Sequence, residues 1–422
     1  MNEKRHIVLV GHSPNLHGAE YSLLRLIQRL KDRAQLKVLA PGGGDFEREV
    51  KRLRVPFLAF EPVYPFALLT EKRCALAPFL KRLRENVEYL KGQIQEVDLI
   101  HSNTLYVWEG AGLAAHWGCP HLWNVREVPG ASPTWRPALG WPLTLEWLKD
   151  LSDGLVAVSG AAKDGLGESL GEMTRVVHNG LDVEPESQEL SRKWMEESWG
   201  LKASDKIILT VGNLIPEKGH GQWLKAIATR LKANPNWHLI WVGHSGLCGE
   251  TLRLEVDSLG LGNQVHMVGA VSGVGKKMAG ADVYVLPSLT EAFPTVLLEA
   301  RACGVPFLAN ACGGTLEISR EGGGLECQGH GELASLTEAV LKKTCEIPDA
   351  RMGSFTMKIM ADAYWDFYRE LKERDPRLKK KRWDALLGLE ADLSPAHEMQ
   401  TRIDSLKSKR GIGRVFRKLF PR

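Results

Sequence analysis

Short apolar runs rich in β-branched residues alternate with helical patterns along most of the chain. The first example is clear: His6–Val10 reads as a strand, residues 11–17 form a loop rich in turn residues, and Gly18–Leu30 has apolar side chains at helical spacing. Strands and helices that alternate in this way build parallel sheets with helices packed on their faces. The sequence therefore predicts the α/β class.

The same pattern starts again after a polar stretch near residues 181–205. Lys206–Val211 reads as a strand, residues 212–219 as a loop and His220–Leu231 as a helix. A chain of 422 residues is too long for one ordinary domain. We therefore predict two successive Rossmann-like domains hinged near residue 190, and a ligand site in the cleft between them, where the carboxyl ends of the strands meet.

Cysteine usage and hydropathy indicate the cellular compartment of the protein. The seven cysteines show no zinc-ligand spacing, which is typical of reduced thiols in the cytosol. The N-terminus has too short an apolar run for a secretory signal. The most apolar window, Gly110–Val125, is too short for a bilayer, which takes about 20 residues. We expect neither a signal peptide nor a transmembrane helix.

Common nucleotide and hydrolase motifs are missing. The chain has no Gly-x-Gly-x-x-Gly after its first strand, no Walker sequence and no Gly-x-Ser-x-Gly elbow. Both domains nevertheless begin a helix beside a glycine that follows a strand, at Gly18 and Gly219, and helix N-termini attract phosphate. Lys218 lies next to the second of these. It is either a solvated loop lysine or a cation that neutralises a departing phosphate.

Two carboxylates interrupt the apolar segment Leu289–Ala300. Pro294 suits the start of a helix and not its interior, so Glu291 is expected in the loop after a strand and Glu299 in the second helical turn. Both would then border a ligand lying across the helix N-terminus, and paired carboxylates suit the hydroxyls of a ribose or hexose. The alternative is that one glutamate caps the helix and the other faces solvent.

This segment resembles the Glu-x7-Glu motif of the retaining GT-B glycosyltransferases (glycosyl transferases group 1). The resemblance extends from about Ile7 to about Tyr368. Other similar segments occur in the order typical of that family: Ala157–Asp164, Val177–Asp182, Gly269–Val271, Ala302–Pro306 and Gly313–Glu317. It implies the GT-B fold, with an acceptor domain at residues 1–190 and a nucleotide-sugar donor domain at 191–358. Residues 359–375 would form a helix that packs back towards the first domain, and 376–422 a basic tail.

The resemblance also implies how a nucleotide-sugar donor is held. Glu299 would bind the ribose hydroxyls, and Glu291 the donor sugar in a catalytic position. Lys218 would contact the diphosphate, and Gly18 would let the first helix approach it. The remaining donor-binding residues would be Asn213, the base-framing Val268, Gly269 and Ala270, and the backbone groups of Phe293, Pro294 and Thr295. No Asp-x-Asp signature is present, so we expect no metal and no cofactor, with a UDP-sugar favoured as co-substrate.

Three departures from the family pattern concern charge and the acceptor. His17 stands where relatives usually have a glycine, and Asn213 where an arginine is common, so the leaving group would lose one cation. Relatives commonly place a histidine near the donor sugar, whereas this chain has Arg126 and Glu127. We hypothesise that Arg126 supplies the missing charge or that Glu127 contacts the sugar. Asn15, His17 and Arg126 are the predicted acceptor-binding residues.

Charge is unevenly distributed along the chain. Residues 376–422 contain 13 Lys/Arg and 5 Asp/Glu, a balance of +8, so the formal net charge of +4 leaves −4 for the remainder. Ile412, Val415, Phe416 and Leu419 recur at helical spacing among basic residues, as in a helix that lies on an anionic membrane. A solvated tail and a nucleic-acid contact are the alternatives, and nothing else in the chain favours nucleic acid.

These observations together predict a cytoplasmic enzyme. Peripheral attachment to the inner face of the plasma membrane is the alternative location. The enzyme would transfer a sugar from a nucleotide-diphosphate donor to a glycan or lipid-linked acceptor, with retention, in cell-surface polysaccharide or lipopolysaccharide synthesis. A nucleotide-sugar 2-epimerase of the same fold and a catalytically inactive glycan-binding scaffold are the alternatives.

Overall fold

The computed structural model describes residues 4–63, 65–68, 76–95, 97–132, 134–350 and 353–390. Its N-terminal half is built on a parallel sheet of seven strands in the order β3-β2-β1-β5-β6-β8-β9. These strands are β1 (His6–Val10), β2 (Gln35–Pro41), β3 (Phe57–Phe60), β5 (Leu99–Ser102), β6 (His121–Val125), β8 (Gly154–Ala157) and β9 (Thr174–Val176). β4 (Phe66–Leu68) and β7 (Trp135–Pro137) form a separate antiparallel pair.

The C-terminal half repeats this architecture. Six parallel strands follow the order β12-β11-β10-β13-β14-β15. This is a doubly wound sheet: β11 and β12 are added on one side of β10, and β13 to β15 are added on its other side. They are β10 (Lys206–Val211), β11 (Trp237–Val242), β12 (Val265–Gly269), β13 (Val283–Leu286), β14 (Phe307–Asn310) and β15 (Gly324–Cys327). The predicted α/β class with two parallel-sheet domains is confirmed.

Helices connect the strands of both sheets. Those of the N-terminal half are α1 (Gly18–Leu30), α2 (Asp45–Arg52), α3 (Leu76–Lys91), α4 (Glu109–Trp117), α5 (Gly140–Leu151), α6 (Gly160–Asp164) and α7 (Glu168–Gly171). The later ones are α8 (Gln188–Trp199), α9 (His220–Ala233), α10 (Gly249–Ser258), α11 (Val274–Lys277), α12 (Thr295–Ala302), α13 (Thr315–Ser319), α14 (His330–Leu341) and α15 (Met357–Glu370). Pro216–Lys218 and Met278–Gly280 are 3-10 turns, and residues 376–390 are helical.

The sheets are buried because helices cover both of their faces. In β1 the side chains of Ile7 and Leu9 pack on one face with α1, and those of Val8 and Val10 pack on the other. Strands buried on both faces need continuous apolar sequence, which explains why these runs were recognisable without alternation. The polar stretch near 181–205 gave no such signal, yet it holds α8, whose first turn is capped by the Ser187 hydroxyl accepting from the Leu190 amide.

The chain returns to the N-terminal domain after its second sheet. α15 packs its buried face on α1, and the Tyr368 hydroxyl lies 2.6 Å from His101 Nδ1 in the first domain. Residues 376–390, predicted as the start of a basic tail, instead form a helix on the same domain. Its Trp383 is buried against Gly112 of α4, where a Cβ would lie 2.3 Å from the indole.

A buried ion pair fixes this C-terminal helix. Lys379 is 2% exposed, and its Nζ donates to Asp153 Oδ2 at 2.5 Å and to the Cys119 carbonyl at 3.0 Å. The basic cluster therefore has a structural role, because the buried Trp383 and the ion pair of Lys379 with Asp153 hold the helix against the N-terminal domain. The amphipathic pattern at Ile412–Leu419 lies outside the described residues. Among the described helices, none combines the length and apolar character needed to cross a bilayer.

Candidate functional site

A cavity of about 560 Å³ lies between the two sheets, at the carboxyl ends of their strands. One wall comes from the loops after β1, β5 and β6, and the other from the loops after β10 and β13. The predicted residues that line it are His17, Gly18, Arg126, Glu127, Lys218, Glu291, Phe293, Pro294 and Thr295. The fold therefore brings residues from both domains around one cavity, which we call the cleft.

Glu291 is fixed in the loop after β13. One of its carboxylate oxygens, Oε1, accepts hydrogen bonds from the Ser288 hydroxyl at 2.7 Å and from Lys218 Nζ at 2.5 Å. The Glu291 side chain is 10% exposed and that of Lys218 is 28% exposed. The carboxylate and the ammonium thus form a pair on one wall of the cleft.

Two glycines hold the Glu291 loop from behind. Gly313 has a φ of +51°, and a Cβ there would lie 1.9 Å from the Glu291 carbonyl oxygen. At Gly314 a Cβ would lie 2.1 Å from the Ala292 carbonyl oxygen, and the Gly314 amide donates to the Glu291 carbonyl at 3.1 Å. No larger residue fits either position without moving the loop, so the glycine pair sets where the Glu291 side chain begins.

Helix α12 starts directly behind the same loop. Pro294 is its N-cap residue, and no side chain of the described residues caps it, so its first amides face the cleft. This places Glu291 outside the helix and Glu299 in the second turn, as the sequence predicted. The Glu299 carboxylate abuts Gly275, where a Cβ would lie 2.8 Å from Oε2.

Glu299 also faces a cation from the other domain. Arg25 of α1 places Nη2 3.8 Å from Glu299 Oε1. Burial raises the pKa of the Glu299 carboxyl above its ordinary value, and the nearby Arg25 opposes part of that rise. Glu299 does not line the main cavity; it stands at the domain interface behind the N-terminus of α12.

The loop after β10 presents Lys218 but turns Asn213 away. Gly219 has a φ of +66°, and a Cβ there would lie 2.1 Å from the Pro287 carbonyl oxygen, so the loop packs closely on the end of β13. Asn213 Oδ1 accepts from the His244 amide at 3.2 Å, which ties two loops of the same domain together. Asn213 does not line the cleft, and neither do Val268, Gly269 and Ala270 at the end of β12.

The N-terminus of α1 forms part of the opposite wall. His17 is its N-cap residue and makes no side-chain cap, while a Cβ at Gly18 would meet nothing within 4 Å. The glycine therefore leaves open space beside the N-terminus of the helix, an arrangement that favours an anion. Asn15 is exposed, and its amide donates to the Ser13 hydroxyl at 3.1 Å.

Arg126 is held in the cleft by Asn179. Arg126 Nη2 donates to Asn179 Oδ1 at 2.7 Å, and Ser22 of α1 donates its hydroxyl hydrogen to the same oxygen at 2.9 Å. Asn179 in turn donates from Nδ2 to the Phe293 carbonyl at 3.4 Å. Burial lowers the pKa of Arg126, and this effect is opposed by neighbours that include Glu127.

The Glu127 carboxylate accepts hydrogen bonds from two backbone amides. Its Oε2 accepts from the Leu105 amide at 3.3 Å and from the Arg126 amide at 3.0 Å. Burial raises the pKa of the Glu127 carboxyl, and these amides oppose the rise. Its Oε2 therefore shapes the turn after β6.

The cleft also contains titratable residues that the sequence patterns did not single out. His12 lines it after β1, with its Nδ1 2.7 Å from Oε1 of the fully buried Glu20. Glu217 accepts from the Ser132 hydroxyl of the other domain at 3.0 Å, and its second oxygen has no hydrogen-bond partner among the described residues. Lone acidic residues in a loop or a first helical turn carry no spacing signal, so only their burial identifies them.

A second contact joins the domains beside the cleft. Glu317 of α13 accepts from the Gly160 amide at 2.9 Å and lies 2.6 Å from His178 Nε2. Burial alone would raise the pKa of the Glu317 carboxyl, but His178 and the Gly160 amide lower it below its ordinary value. Over the described part of the chain, no cluster of three or more His, Cys, Asp or Glu side chains is arranged to hold a metal ion.

Comparison with known families agrees with this architecture. Residues 191–351 match the family model described as glycosyl transferases group 1, and residues 16–185 match that of glycosyltransferase family 4. Among curated proteins, the chain is 29% identical over 151 residues to the Vi polysaccharide biosynthesis protein VipC/TviE of Salmonella typhi. It is 30% identical over 184 residues to a D-inositol 3-phosphate glycosyltransferase of Segniliparus rotundus.

These curated relatives are matched over part of their length. The first match covers 35% of this chain and 26% of the relative, and the second covers 40% and 41%. Solved structures align over nearly the whole chain. HepE of Anabaena, solved with UDP and glucose, has a TM-score of 0.65 at 21% identity and covers 90% of this chain and 99% of its own. WaaG, a glycosyltransferase of lipopolysaccharide biosynthesis, has a TM-score of 0.59 at 16% identity, with 90% and 99% covered. The chain therefore has the GT-B fold.

Proposed function

We propose that this chain, which has the GT-B fold and matches a glycosyltransferase family model in each half, transfers a sugar from a nucleotide diphosphate to a glycan or lipid-linked acceptor. One observation carries the proposal: the paired Glu291 and Lys218 stand at the uncapped N-terminus of α12, opposite Arg126, in a cleft between two parallel sheets. A carboxylate for sugar hydroxyls beside two cations and a helix dipole for a diphosphate is what this chemistry requires.

The reaction separates charge, and the cleft is arranged to accept it. The bond between the anomeric carbon and the diphosphate oxygen breaks while an acceptor oxygen bonds to that carbon. The diphosphate leaves with additional negative charge, which Lys218, Arg126 and the free amides of α12 would stabilise. Preorganised donors of this kind are each worth roughly 10²–10³ in rate. Glu291 would hold the sugar hydroxyls so that the anomeric carbon faces the N-terminal wall.

The donor side of the proposal includes the nucleotide. Glu299 would accept hydrogen bonds from the ribose hydroxyls, and the loop at Val268–Ala270 would frame the base. The presence of UDP and glucose in the structure of HepE of Anabaena supports a UDP-sugar as the donor. The similarity to the Vi polysaccharide biosynthesis protein supports a role in cell-surface polysaccharide synthesis.

Arg126 is proposed to replace the cation lost at Asn213. The structure fits this role because Arg126 lines the cleft and Asn213 is bonded to His244. The Arg126→Ala variant is expected to lose more than tenfold in kcat/KM. A loss within about threefold, roughly 0.7 kcal/mol of transition-state stabilisation, would remove Arg126 from the mechanism.

The membrane-surface prediction is kept as part of the proposal. Membrane binding would involve the exposed Lys380 and Lys381 of the C-terminal helix together with residues 391–422. Residues 391–422 lie outside the described residues. Pelleting with anionic liposomes is expected to retain the full chain and to lose a variant truncated after residue 390. Equal binding of the two would assign no membrane role to the final segment.

A thermal-shift screen of nucleotide sugars, followed by turnover assays, tests the function. We expect one donor to stabilise the protein and nucleoside diphosphate release to require an acceptor. Mass spectrometry would then show the acceptor heavier by one sugar, and NMR of the new linkage would show the donor's anomeric configuration. Conversion of the donor without acceptor would favour the 2-epimerase, and binding without any turnover would favour the inactive scaffold.

A further inference from the structure

Asn179 lies where the chain crosses from the first domain to the second. It follows β9, is 4% exposed and lines the cleft. The next residue, Gly180, packs closely on the segment before α15 that returns to the first domain, and a Cβ there would lie 2.2 Å from the Thr356 carbonyl oxygen. The amide of Leu181 also donates to the Phe355 carbonyl at 2.9 Å. The two crossing segments therefore fix the backbone beside Asn179.

The side-chain amide of Asn179 joins three separate elements. Its Oδ1 accepts from Arg126 Nη2 in the loop after β6 at 2.7 Å and from the Ser22 hydroxyl of α1 at 2.9 Å. Its Nδ2 donates at 3.4 Å to the carbonyl of Phe293, which directly precedes the N-cap residue of α12 in the other domain. One small side chain thus links the cation of the N-terminal wall to the 291–294 loop, which carries Glu291.

Phe293 is held from a second side by the residue that precedes Asn179. The rings of His178 and Phe293 pack together, with centroids 4.9 Å apart and an interplanar angle of 34°. His178 Nε2 is in turn 2.6 Å from Glu317 Oε2. Phe293 is 5% exposed, and close-packed buried rings allow little displacement. The carbonyl group that Asn179 contacts therefore has a well-defined position.

A neutral amide differs from the usual partner of a buried arginine, which is a carboxylate. Burial lowers the pKa of Arg126, and nearby groups that include Glu127 and Glu20 oppose that effect. A further carboxylate at position 179 would hold the guanidinium but would also cancel its charge. The amide oxygen of Asn179 orients Nη2 through a dipole and adds no negative charge.

We propose that Asn179 is a positioning residue for sugar transfer, which ties the Arg126 guanidinium to the 291–294 loop without reducing its positive charge. The diphosphate gains negative charge as the anomeric C–O bond breaks, and a cation stabilises that charge only from a fixed and correct distance. Asn179 sets this distance, because the same amide contacts Arg126 and the backbone two residues beyond Glu291. This inference rests on the proposed transferase function and on the role proposed for Arg126.

A double-mutant cycle tests whether Asn179 acts through Arg126. Asn179→Ala removes the acceptor of Arg126 Nη2, and we expect kcat for transfer to fall by more than about tenfold while the donor KM changes by less than about threefold. The double variant Asn179→Ala with Arg126→Ala should transfer within about threefold of Arg126→Ala alone, because no cation remains to be positioned. Single losses that multiply in the double variant would show independent effects and overturn the inference.

Asn86→Ala is the matched control. Asn86 is another asparagine of the first domain that is 4% exposed, and its Nδ2 donates to the Glu61 carbonyl at 2.8 Å and to Glu109 Oε1 at 2.9 Å. It is not one of the residues that line the cleft. Asn86→Ala should lower the thermal midpoint, as Asn179→Ala does, but keep kcat within about threefold of wild type. A tenfold loss of kcat in both variants would indicate general loosening of the domain and would contradict a positioning role.

Asn179→Asp separates position from charge. Its carboxylate accepts from Arg126 Nη2 as the amide does, but it cancels the guanidinium charge and has no hydrogen to donate to the Phe293 carbonyl. We expect transfer to fall by about tenfold or more, although Arg126 keeps a partner. Transfer by Asn179→Asp within about threefold of wild type would overturn the requirement for a neutral partner. Absence of transfer by the wild type with every donor that binds would instead overturn the proposed function itself.

Discussion

Replacing Lys379 by methionine should destabilise the N-terminal domain strongly, although the residue belongs to a run that looks like a solvated basic cluster. Lys379 Nζ is bonded to Asp153 Oδ2 at 2.5 Å and lies 3.3 Å from Glu373 Oε1, and the Asp153 side chain is 1% exposed. Removing one partner of a buried ion pair typically costs about 3–5 kcal/mol, because the other charge stays buried.

The remaining bonds of Asp153 set the expected value within that range. Its Oδ2 still accepts from the His121 amide at 2.7 Å and its Oδ1 from the Arg374 amide at 2.8 Å. Because these amides continue to solvate the carboxylate, we expect the lower end, about 3 kcal/mol. For a domain of this size that corresponds to roughly 6–12 °C in the thermal midpoint.

Thermal unfolding monitored by tryptophan fluorescence measures this, because Trp383 of the same helix is buried. Lys380→Met changes an exposed neighbour and serves as the control, expected within about 0.5 kcal/mol of wild type. The double variant Lys379→Met with Asp153→Asn should recover only part of the loss, since it removes the buried charge but leaves either the His121 or the Arg374 amide without an acceptor. Equal midpoints for Lys379→Met and Lys380→Met would refute the packed helix at 376–390.

Three further predictions concern the cleft and the domain interface. Glu291→Gln and Glu299→Gln should each impair donor use, measured as kcat/KM for the nucleotide sugar, and normal kinetics in both would contradict the proposed donor site. Gly313→Ala should lower transfer by about tenfold or more while the protein stays folded by circular dichroism, because its Cβ would lie 1.9 Å from the carbonyl oxygen of Glu291. The depressed pKa of Glu317 beside His178 stabilises the fold above the ordinary carboxyl pKa, and this stability is lost as pH falls through the lower folded-state value. Acid titration of the thermal midpoint should therefore be shallower in Glu317→Gln, and identical slopes would argue against the interaction.

Local patterns predicted a large part of this fold. Strand β1 and helix α1 begin and end at the predicted residues, since their apolar runs and helical spacing depend only on neighbouring residues. The position of Glu291 outside α12 followed from Pro294 in the same way. The strand Phe57–Phe60 and the helix Gln188–Trp199 were not predicted, because one is a short edge strand and the other lies in a mostly polar stretch.

The sequence by itself determined the α/β class, the two-domain order and the Glu-x7-Glu segment, because periodicity and turn residues are properties of adjacent positions. Only the tertiary structure decided which distant side chains meet. The pairing of Arg126 with Asn179, the burial of Glu20 behind His12 and the capture of Lys379 each depend on how separate elements pack. Desolvation and ion pairing act through space, so no spacing along the chain could have predicted these contacts.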